Sequence, residues 1–598
     1  MPREMNRRNR NGREMTAGVF VMTFLAGGAL LWAQQANLPV VLRGATLIDG
    51  SGGAPRTGAV LVIAADRIRS IGGPGAAVPA NATVVDLAGK FVIPGLVESH
   101  SHYEEWMGEV FLNHGVTSVM SVGGNWGDKK EASQRAGART PRLYDTAGDP
   151  RLTRSMTQEQ VRASVEEWVR RKPDFARLPT YDEGWEQVYP WAVEEIHRAG
   201  LMTFGHTEDA PASVRAGQDV VEHIWGYLIP GMSAQEHEDF QKGKYLHWAS
   251  FIRDWPRLEQ WIREAVSRGA YINPTLQYEL GSLSSHAARH EEEIYQVYRD
   301  PFLMAYFPRN ISDSLLQKQR QIRSFSGKYE NLVLLSRVTS EEVQEYRRGY
   351  GLVGEFLKRF VQAGGKIQAG TDTASGGTPG LGLHHEMEML VELGLTPAQA
   401  LQSATSWAAA IVAGKSGRQP EIGVIREGGL ADLLVLSANP LDDIVNTKKI
   451  ERVMKGGQFV EPGYDPAYFS FTRPPRKIAM ATPVPEVTAL NPHTVHEGTP
   501  EFDLTIEGVG FVGNSTVRVD GISVPTTFVG PRTLRARIPA SVVARATPNQ
   551  FMAPGPEQMV GVFGDRTVAI SVFTPPPEGG ASNSVSLRIR AKWMGLEE

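Results

Sequence analysis

The sequence predicts a closed, TIM-like (β/α)8 barrel, a composite β-sandwich built from the segments on either side of it, and a separate C-terminal all-β domain. Between about residues 110 and 415, β-like runs such as GVTSVMSVG and LMTFGHT alternate with helix-like runs such as WAVEEIHRAG. This alternation indicates a parallel sheet, and the number of units favours a closed barrel. The flanking segments instead carry short β runs that are separated by Gly and Pro turns.

The composition narrows the classes of partner. Lys and Arg number 62, Asp and Glu number 66, and the formal net charge is −4. No basic field is therefore available for nucleic acid or an acidic membrane surface, and a small molecule or dipeptide fits better. Cysteine is absent, which excludes disulfides, thiolate metal sites and cysteine nucleophiles. Any metal ion must then bind to His, Asp or Glu.

The N-terminus has the order of a secretory signal. An apolar run over residues 17–33 follows four basic residues, Arg7, Arg8, Arg10 and Arg13. We interpret residues 1–36 as a signal peptide that is cleaved near Ala33 or Ala36, so that the folded protein is exported to the periplasm or the extracellular space. The alternative is an uncleaved membrane anchor, because the run approaches the roughly 20 residues of a spanning helix.

Five segments follow the signal. Residues 38–94 and 420–465 carry β character and are expected to form one composite β-sandwich. Residues 95–419 form the barrel, interrupted at about 280–360 by a charged stretch with a helical pattern, which we interpret as an insertion and a lid. Residues 466–485 are rich in Pro and Arg, the composition of a linker.

The C-terminal segment, residues 486–592, reads as a β-sandwich. In EFDLTIEGVGF, the residues Phe502, Leu504 and Ile506 fall on one face with polar residues between them, the period of a half-buried strand. More short strands follow at intervals that suit two packed sheets. The run LTIEGVGFVGNSTVRVDG resembles the TIG-type immunoglobulin-like fold.

A pair of histidines ends the first predicted strand of the barrel. In VIPGLVESHSHY, His100 and His102 stand two residues apart. Residues at this spacing on a strand point to the same side, so both imidazoles can reach one ion. Alone, such a pair is most simply two ordinary polar residues.

Three further predicted strands end in candidate ligands. LMTFGHTED supplies His206, QDVVEHIW supplies His223, and GGKIQAGTDTA supplies Asp372. The carboxyl ends of parallel barrel strands converge on one mouth. The sequence therefore predicts a metal site there.

These segments, together with HHEMEMLVELGLTPAQALQSAT and GVIREGGLADLLVL, resemble the amidohydrolase superfamily, close to its imidazolonepropionase-like and prolidase-like branch. The resemblance spans about residues 38–462. It implies a (β/α) barrel, a composite sandwich from the flanking β segments, and a hydrolytic metal site on the residues just named.

The expected activity is hydrolysis of a C–N bond in a small amide, cyclic amide or dipeptide by water that a divalent metal activates. Asp372 is suited to act as general base and then as general acid. His223 is expected either to polarise the substrate carbonyl or to bind a second ion. Zinc is the expected metal, although such ligands also suit iron, manganese or nickel.

One position departs from the binuclear members, whose fourth strand carries a carboxylated lysine that bridges two metals. Here KPDFARLPT has Arg177, which stays cationic and cannot bind a metal. We therefore favour one ion over two. The predicted ligands of that ion are His100, His102, His206 and Asp372.

Arg177 itself is expected to attract a carboxylate, from Asp372, Asp182 or Glu183 or from a substrate. Alternatively, Arg177 indicates that the site has lost its metal and its catalytic activity. The chain would then be an extracytoplasmic binding protein built on a degenerate barrel.

Overall fold

The computed structural model describes residues 38–241, 252–297, 340–373, 378–460, 485–530, 532–544, 566–574 and 580–590. The predicted signal peptide, the linker apart from Pro485, and the centre of the predicted insertion lie outside these residues. Within the described ranges, no helix is both long and apolar enough to cross a membrane.

The two flanking segments combine in one eight-stranded sheet, in the order β16-β15-β14-β5-β1-β2-β3 with β4 paired to β1. The strands are β1 (Val40–Leu47), β2 (Arg56–Ala64), β3 (Arg67–Gly72), β4 (Thr83–Asp86), β5 (Phe91–Pro94), β14 (Leu433–Leu436), β15 (Ile450–Lys455) and β16 (Gln458–Val460). The two segments meet where β5 pairs antiparallel with β14, Pro94 opposite Leu433. The predicted composite β unit is thus present as one continuous sheet.

Eight parallel strands follow, in groups of three and five. They are β6 (Leu96–Ser101), β7 (Val116–Ser121), β8 (Arg142–Asp145), β9 (Ala176–Arg177), β10 (Thr203–Gly205), β11 (Val220–Glu222), β12 (Tyr271–Asn273) and β13 (Lys366–Ile367). Backbone hydrogen bonds join the groups on both sides, from Asp174 N to Asp145 O (2.9 Å) and from His102 N to Thr373 O (2.9 Å). The predicted barrel is therefore confirmed.

Helices alternate with the barrel strands. They are α1 (Met107–Asn113), α2 (Asp128–Ser133), α3 (Gln158–Val169), α4 (Val188–Arg198), α5 (Ala210–Arg215), α6 (Ala234–Gln241), α7 (Trp255–Ser267), α8 (Leu276–Leu280), α9 (Ala287–Val297), α10 (Ser340–Gln362), α11 (Leu381–Glu392), α12 (Pro397–Ser403) and α13 (Ser406–Ala413). Local sequence fixes several starts: Thr157 and Gln160 form a capping box on α3, which satisfies backbone N–H groups that the helix leaves unpaired.

Burial explains why the barrel strands read as continuous apolar runs. All six residues of β6 and all six of β7 are buried, because helices cover one side of the strands and barrel side chains fill the other. The polar residues of β6 are consequently confined to its last four positions, Glu98 to Ser101. Polar side chains that survive at such positions must find partners at the barrel mouth.

A buried ion pair joins the composite sheet to the barrel. Arg142 on β8 donates to Asp432 through Nε (2.6 Å) and Nη2 (3.1 Å), and both side chains are almost fully buried. Nearby, the ammonium of Lys455 donates to the backbone oxygens of Ser133 (2.6 Å) and Arg135 (3.1 Å). These contacts fix the sheet against the barrel.

The predicted insertion is helical wherever the structure describes it. It contains α9 and α10, together with the end of α8 and a short 3₁₀ turn. Residues 298–339 lie outside the described residues. The expectation that the insertion acts as a lid stays a prediction.

The C-terminal segment forms two β-sheets with a core of their own. One has the order β17-β19-β23-β22 and the other β18-β25-β24-β20-β21. The strands are β17 (Glu486–Asn491), β18 (Thr494–His496), β19 (Phe502–Val509), β20 (Thr516–Val519), β21 (Ile522–Ser523), β22 (Thr526–Gly530), β23 (Thr533–Ile538), β24 (Arg566–Phe573) and β25 (Val585–Arg590), with a short helix α14 (Ala540–Val543). Leu504 and Ile506 are fully buried in this core, as their period-two spacing predicts.

Candidate metal centre

The first candidate group lies where β6 and the segment after β13 meet. It contains His100, His102 and Asp372, each with one ligand atom within 4.8 Å of the others. Asp372 Oδ1 lies 3.3 Å from His100 Nε2 and 3.2 Å from His102 Nε2. The structure thus brings together three of the predicted ligands, from opposite ends of the barrel sequence.

His100 is enclosed while His102 faces the opening. The His100 side chain is fully buried, and the ring of Phe204 packs edge-on at 5.1 Å between centroids. Burial lowers the pKa of His100 well below its ordinary value, so the imidazole is neutral. In His102 the contact with Asp372 raises the pKa, and 39% of its side chain is exposed.

A buried carboxylate outside the predicted set positions this group. Glu98 accepts hydrogen bonds from His100 N (3.0 Å), Thr371 N (2.9 Å) and Thr371 Oγ1 (2.8 Å). One side chain therefore holds the end of β6 and the residue before Asp372 in register. Burial raises the pKa of Glu98 to about 7.

The second candidate group contains His206, Glu222 and His223. Glu222 Oε1 lies 2.8 Å from His206 Nε2 and 3.6 Å from His223 Nε2, and the two Nε2 atoms are 3.1 Å apart. The imidazoles of His206 and His223 stack at 5.0 Å with an interplanar angle of 17°. His206, predicted to share an ion with His100, His102 and Asp372, therefore stands beside His223.

Unusual backbone conformations let consecutive residues face the mouth. His223, Thr275 and Asp372 all have positive φ, at 61°, 47° and 48°. For residues other than glycine this region costs about 1–3 kcal/mol each and is found where function requires it. Because His223 leaves the strand direction, the side chains of Glu222 and His223 converge instead of pointing to opposite faces.

Hydrogen bonds favour one tautomer of His223. The Thr275 hydroxyl donates to Pro274 O (2.9 Å), so its oxygen accepts from His223 Nδ1 at 2.6 Å. Glu279 Oε1 lies 3.4 Å from the same nitrogen. With the proton on Nδ1, His223 Nε2 carries its lone pair toward the mouth, the arrangement typical of metal-ligating histidines. Burial lowers the pKa of His223 well below its ordinary value.

Glu222 connects the two groups. Besides its contacts with the second group, its Oε1 lies 3.1 Å from His100 Nε2 in the first. Its other oxygen, Oε2, and both ring nitrogens of His100 are buried and make no hydrogen bond within the described residues. Buried polar atoms are normally paired, so this cluster indicates a missing partner.

The spacing of these atoms fits a divalent cation. Two ligand atoms that are each about 2.0–2.1 Å from a tetrahedral ion are about 3.3 Å apart. The contacts of Asp372 Oδ1 with His100 and His102 match that spacing, as do those of Glu222 Oε1 with His100 and His223. Two histidine lone pairs that face each other at 3.1 Å would repel unless a cation or a proton stood between them.

Arg177 ends β9 at the same mouth and contacts a residue that the sequence interpretation did not consider. Its Nη1 lies 3.8 Å from Asp149 Oδ2, with 27% of the arginine side chain exposed. Of the carboxylates predicted to attract it, Asp182 instead accepts from Arg154. Its positive charge acts on His100 and His223 and helps to lower their pKa values, after burial as the main cause for both.

Comparisons with known proteins find similarity over part of the chain. The Amidohydrolase family model matches residues 355–460, which include Asp372. An ochratoxinase of Aspergillus niger is 29% identical over 282 residues, which cover 46% of this chain and 51% of that protein. The chain is thus similar to amidohydrolases over part of its length, and it spans about half the length of the curated relatives that it first matches.

Solved structures also match this chain at low sequence identity. A molinate hydrolase is 17% identical with a TM-score of 0.49, over 74% of this chain and 98% of that one. A Xaa-Pro dipeptidase with bound methionine in its active site is 17% identical with a TM-score of 0.46, over 71% of this chain and all of that one.

Proposed function

We propose that this chain is a metal-dependent hydrolase that cleaves a C–N bond in a small amide, cyclic amide or dipeptide. The observation that carries the proposal is the convergence of two groups of ligand atoms on one barrel mouth, where buried atoms of His100 and Glu222 make no hydrogen bond to the part of the chain that the structure describes. The match of residues 355–460 to the Amidohydrolase family model supports the same reaction class.

The chain's own residues would share the work of hydrolysis. A divalent ion, for which zinc is our expectation, supplies Lewis acidity and lowers the pKa of bound water to about 7. We assign to Asp372 the proton transfer: Oδ1 faces the imidazoles of His100 and His102, and Oδ2 would take the proton from the attacking water and return it to the leaving nitrogen. Because Thr275 directs the Nδ1 proton of His223 away from the mouth, His223 is better suited to bind metal than to donate to a carbonyl.

Arg177 gives the proposal a substrate preference. Its guanidinium stands at the mouth, and among the described residues its ion pair is with Asp149 at 3.8 Å, longer than a hydrogen bond. A planar guanidinium binds a carboxylate through two parallel hydrogen bonds. We infer a substrate with a free acid group, such as an N-acyl amino acid or a dipeptide.

The flanking parts of the chain complete the proposal. We propose that residues 1–36 direct export to the periplasm or the extracellular space, as their order of charged and apolar residues predicts. We further propose that the two C-terminal sheets are a TIG-type immunoglobulin-like domain, which the LTIEGVGFVGNSTVRVDG run and the separate two-sheet core support.

A panel of paired substrates tests the function. N-acyl amino acids and Xaa-Pro dipeptides would be compared with the same compounds carrying a C-terminal amide, and release of the free amine would be measured. We expect cleavage of the acids, with a higher KM for the amides in the unmodified chain. In Arg177→Met, the KM for the acids should rise toward that for the amides.

The rival function is ligand binding on a degenerate barrel, which the arginine at the bridging-lysine position favours. It predicts saturable binding of acids without release of amine by the metal-loaded chain. Absence of cleavage across the panel, with metal bound and ligands bound, would support this rival.

A further inference from the structure

Glu222 occupies a place between the two ligand groups that no predicted residue fills. Its Oε1 contacts His100 in the first group and His206 in the second, at 3.1 and 2.8 Å. The side chain is 1% exposed. It therefore presents one carboxylate to both groups, out of contact with bulk water.

The fourth barrel strand cannot provide a bridge. Its last residue is Arg177, and a guanidinium neither binds metal nor accepts carboxylation. The alternatives on nearby loops are engaged elsewhere: Asp182 accepts from Arg154, and Asp149 lies beside Arg177. Glu222, two strands further along the sheet at the end of β11, is the carboxylate that the described residues place between the groups.

Resting on the function proposed above, we propose that Glu222 is a shared ligand that joins His100, His102 and Asp372 to His206 and His223 in a two-ion centre. Each group has an acidic and an imidazole ligand, the chemistry that a divalent cation such as zinc or manganese requires. The Oε1 of Glu222 contacts imidazoles of both groups, and its Oε2 is buried and makes no hydrogen bond within the described residues, so the carboxylate has capacity for a cation.

The local charges permit a second ion despite Arg177. Asp149 stands 3.8 Å from the guanidinium, so an opposite charge offsets much of the arginine's field at the mouth. The preference for one ion rested on the cationic Arg177 in place of a bridging lysine. Asp149 offsets part of that charge, and Glu222 offers the carboxylate that the arginine cannot supply.

Metal counting provides the test, with readouts that do not depend on activity. The full chain would be stripped with a chelator, reloaded with Zn²⁺ or Mn²⁺ and measured by elemental analysis, and the Mn²⁺ form by electron paramagnetic resonance. We expect two ions per unmodified chain and the signal of a magnetically coupled pair. Glu222→Gln, which keeps the volume and removes the charge, should retain one ion and lose the coupled signal.

Two variants control the experiment. Glu195→Gln removes a buried carboxylate from α4, where it pairs with Arg162 and Arg198, and should keep both ions. Glu222→Asp retains a carboxylate and should recover part of the second ion. If Glu222→Gln does not fold, Glu222→Asp decides the question: a second ion bound more weakly than in the unmodified chain supports the bridge, and two ions bound as tightly as in the unmodified chain would overturn it.

The results that would contradict the Glu222 bridge are distinct from the results that would contradict the proposed hydrolase function. One ion at saturation in the unmodified chain, or two coupled ions in Glu222→Gln, would overturn the bridge. If that one-ion chain still cleaved amides, the hydrolase would stand without the bridge. Two coupled ions without any C–N cleavage would leave the bridge and remove the hydrolase.

Discussion

Substitutions of Glu98 test whether its hydrogen bonds hold the metal ligands in place. Glu98 receives three hydrogen bonds, two from backbone N–H groups and one from the Thr371 hydroxyl. In Glu98→Ala these three donors lose a buried acceptor. Each unsatisfied donor costs about 1–3 kcal/mol, so the barrel should lose about 3–6 kcal/mol, because the three effects do not add fully.

The same change should weaken metal binding at the first group. Glu98 holds His100 on one side and Thr371, next to Asp372, on the other, so both ligands lose their fixed positions. Loss of a residue that orients metal ligands typically reduces affinity by about 10- to 100-fold. Glu98→Gln should change affinity far less, because one amide oxygen can still accept from both backbone N–H groups that bind Oε1.

Zinc affinity by competition with a chelator, together with thermal unfolding, measures both effects. The expected order of affinity is unmodified chain, then Glu98→Gln, then Glu98→Ala. Equal zinc affinity in the unmodified chain and Glu98→Ala, with both folded, would refute the positioning argument.

Three further predictions follow. His100→Ala combined with His102→Ala should remove the ion of the first group, and elemental analysis showing undiminished metal would contradict its assignment. A chain ending at Pro485 should keep its metal content and hydrolytic rate, because the C-terminal core is separate; loss of rate in a folded truncation would give that domain a part in the site. Burial lowers the pKa of Lys455 from 10.5 to about 7. Between these pH values the unfolded chain therefore binds more protons than the folded chain. The free energy of unfolding should rise with pH over this range, by up to roughly 5 kcal/mol. Lys455→Met should lack that rise when Tm is compared at about pH 7 and pH 9.5, and parallel Tm curves would show that Lys455 does not titrate in this way.

The period-two pattern of the strands was enough to predict much of the candidate site. His100 and His102 stand two apart at the end of a buried run, and the ends of parallel strands meet, so their approach to Asp372 could be predicted. The barrel followed from the alternation of short β runs and helices, and the pairing of the flanking segments followed from their short β runs between Gly and Pro turns.

Glu222 was missed because the rule of alternation assigns neighbouring residues to opposite faces of a strand. The positive φ of His223 breaks that rule locally. No feature of the sequence VVEHIW predicts this backbone conformation. An acidic residue directly before a predicted ligand at a strand end is the signal that was available.

The sequence also could not predict which distant residues contact one another. Glu98 and Thr371 are 273 residues apart, and the contact of Arg177 with Asp149 depends on how the loop after β8 turns back over the mouth. Spacing along the chain contains no such information, so the predicted partners of Arg177 were chosen from nearby residues and from the proposed ligand.

The most direct test of the central claim is the rate of C–N cleavage as metal is returned to the chelated chain. An N-acyl amino acid found in the substrate panel would be the substrate, and bound metal would be measured in each sample. Metal-dependent hydrolysis predicts no cleavage by the stripped chain and a rate that rises with bound ion until the site is full. An equal rate in the stripped and the reloaded chain would contradict it.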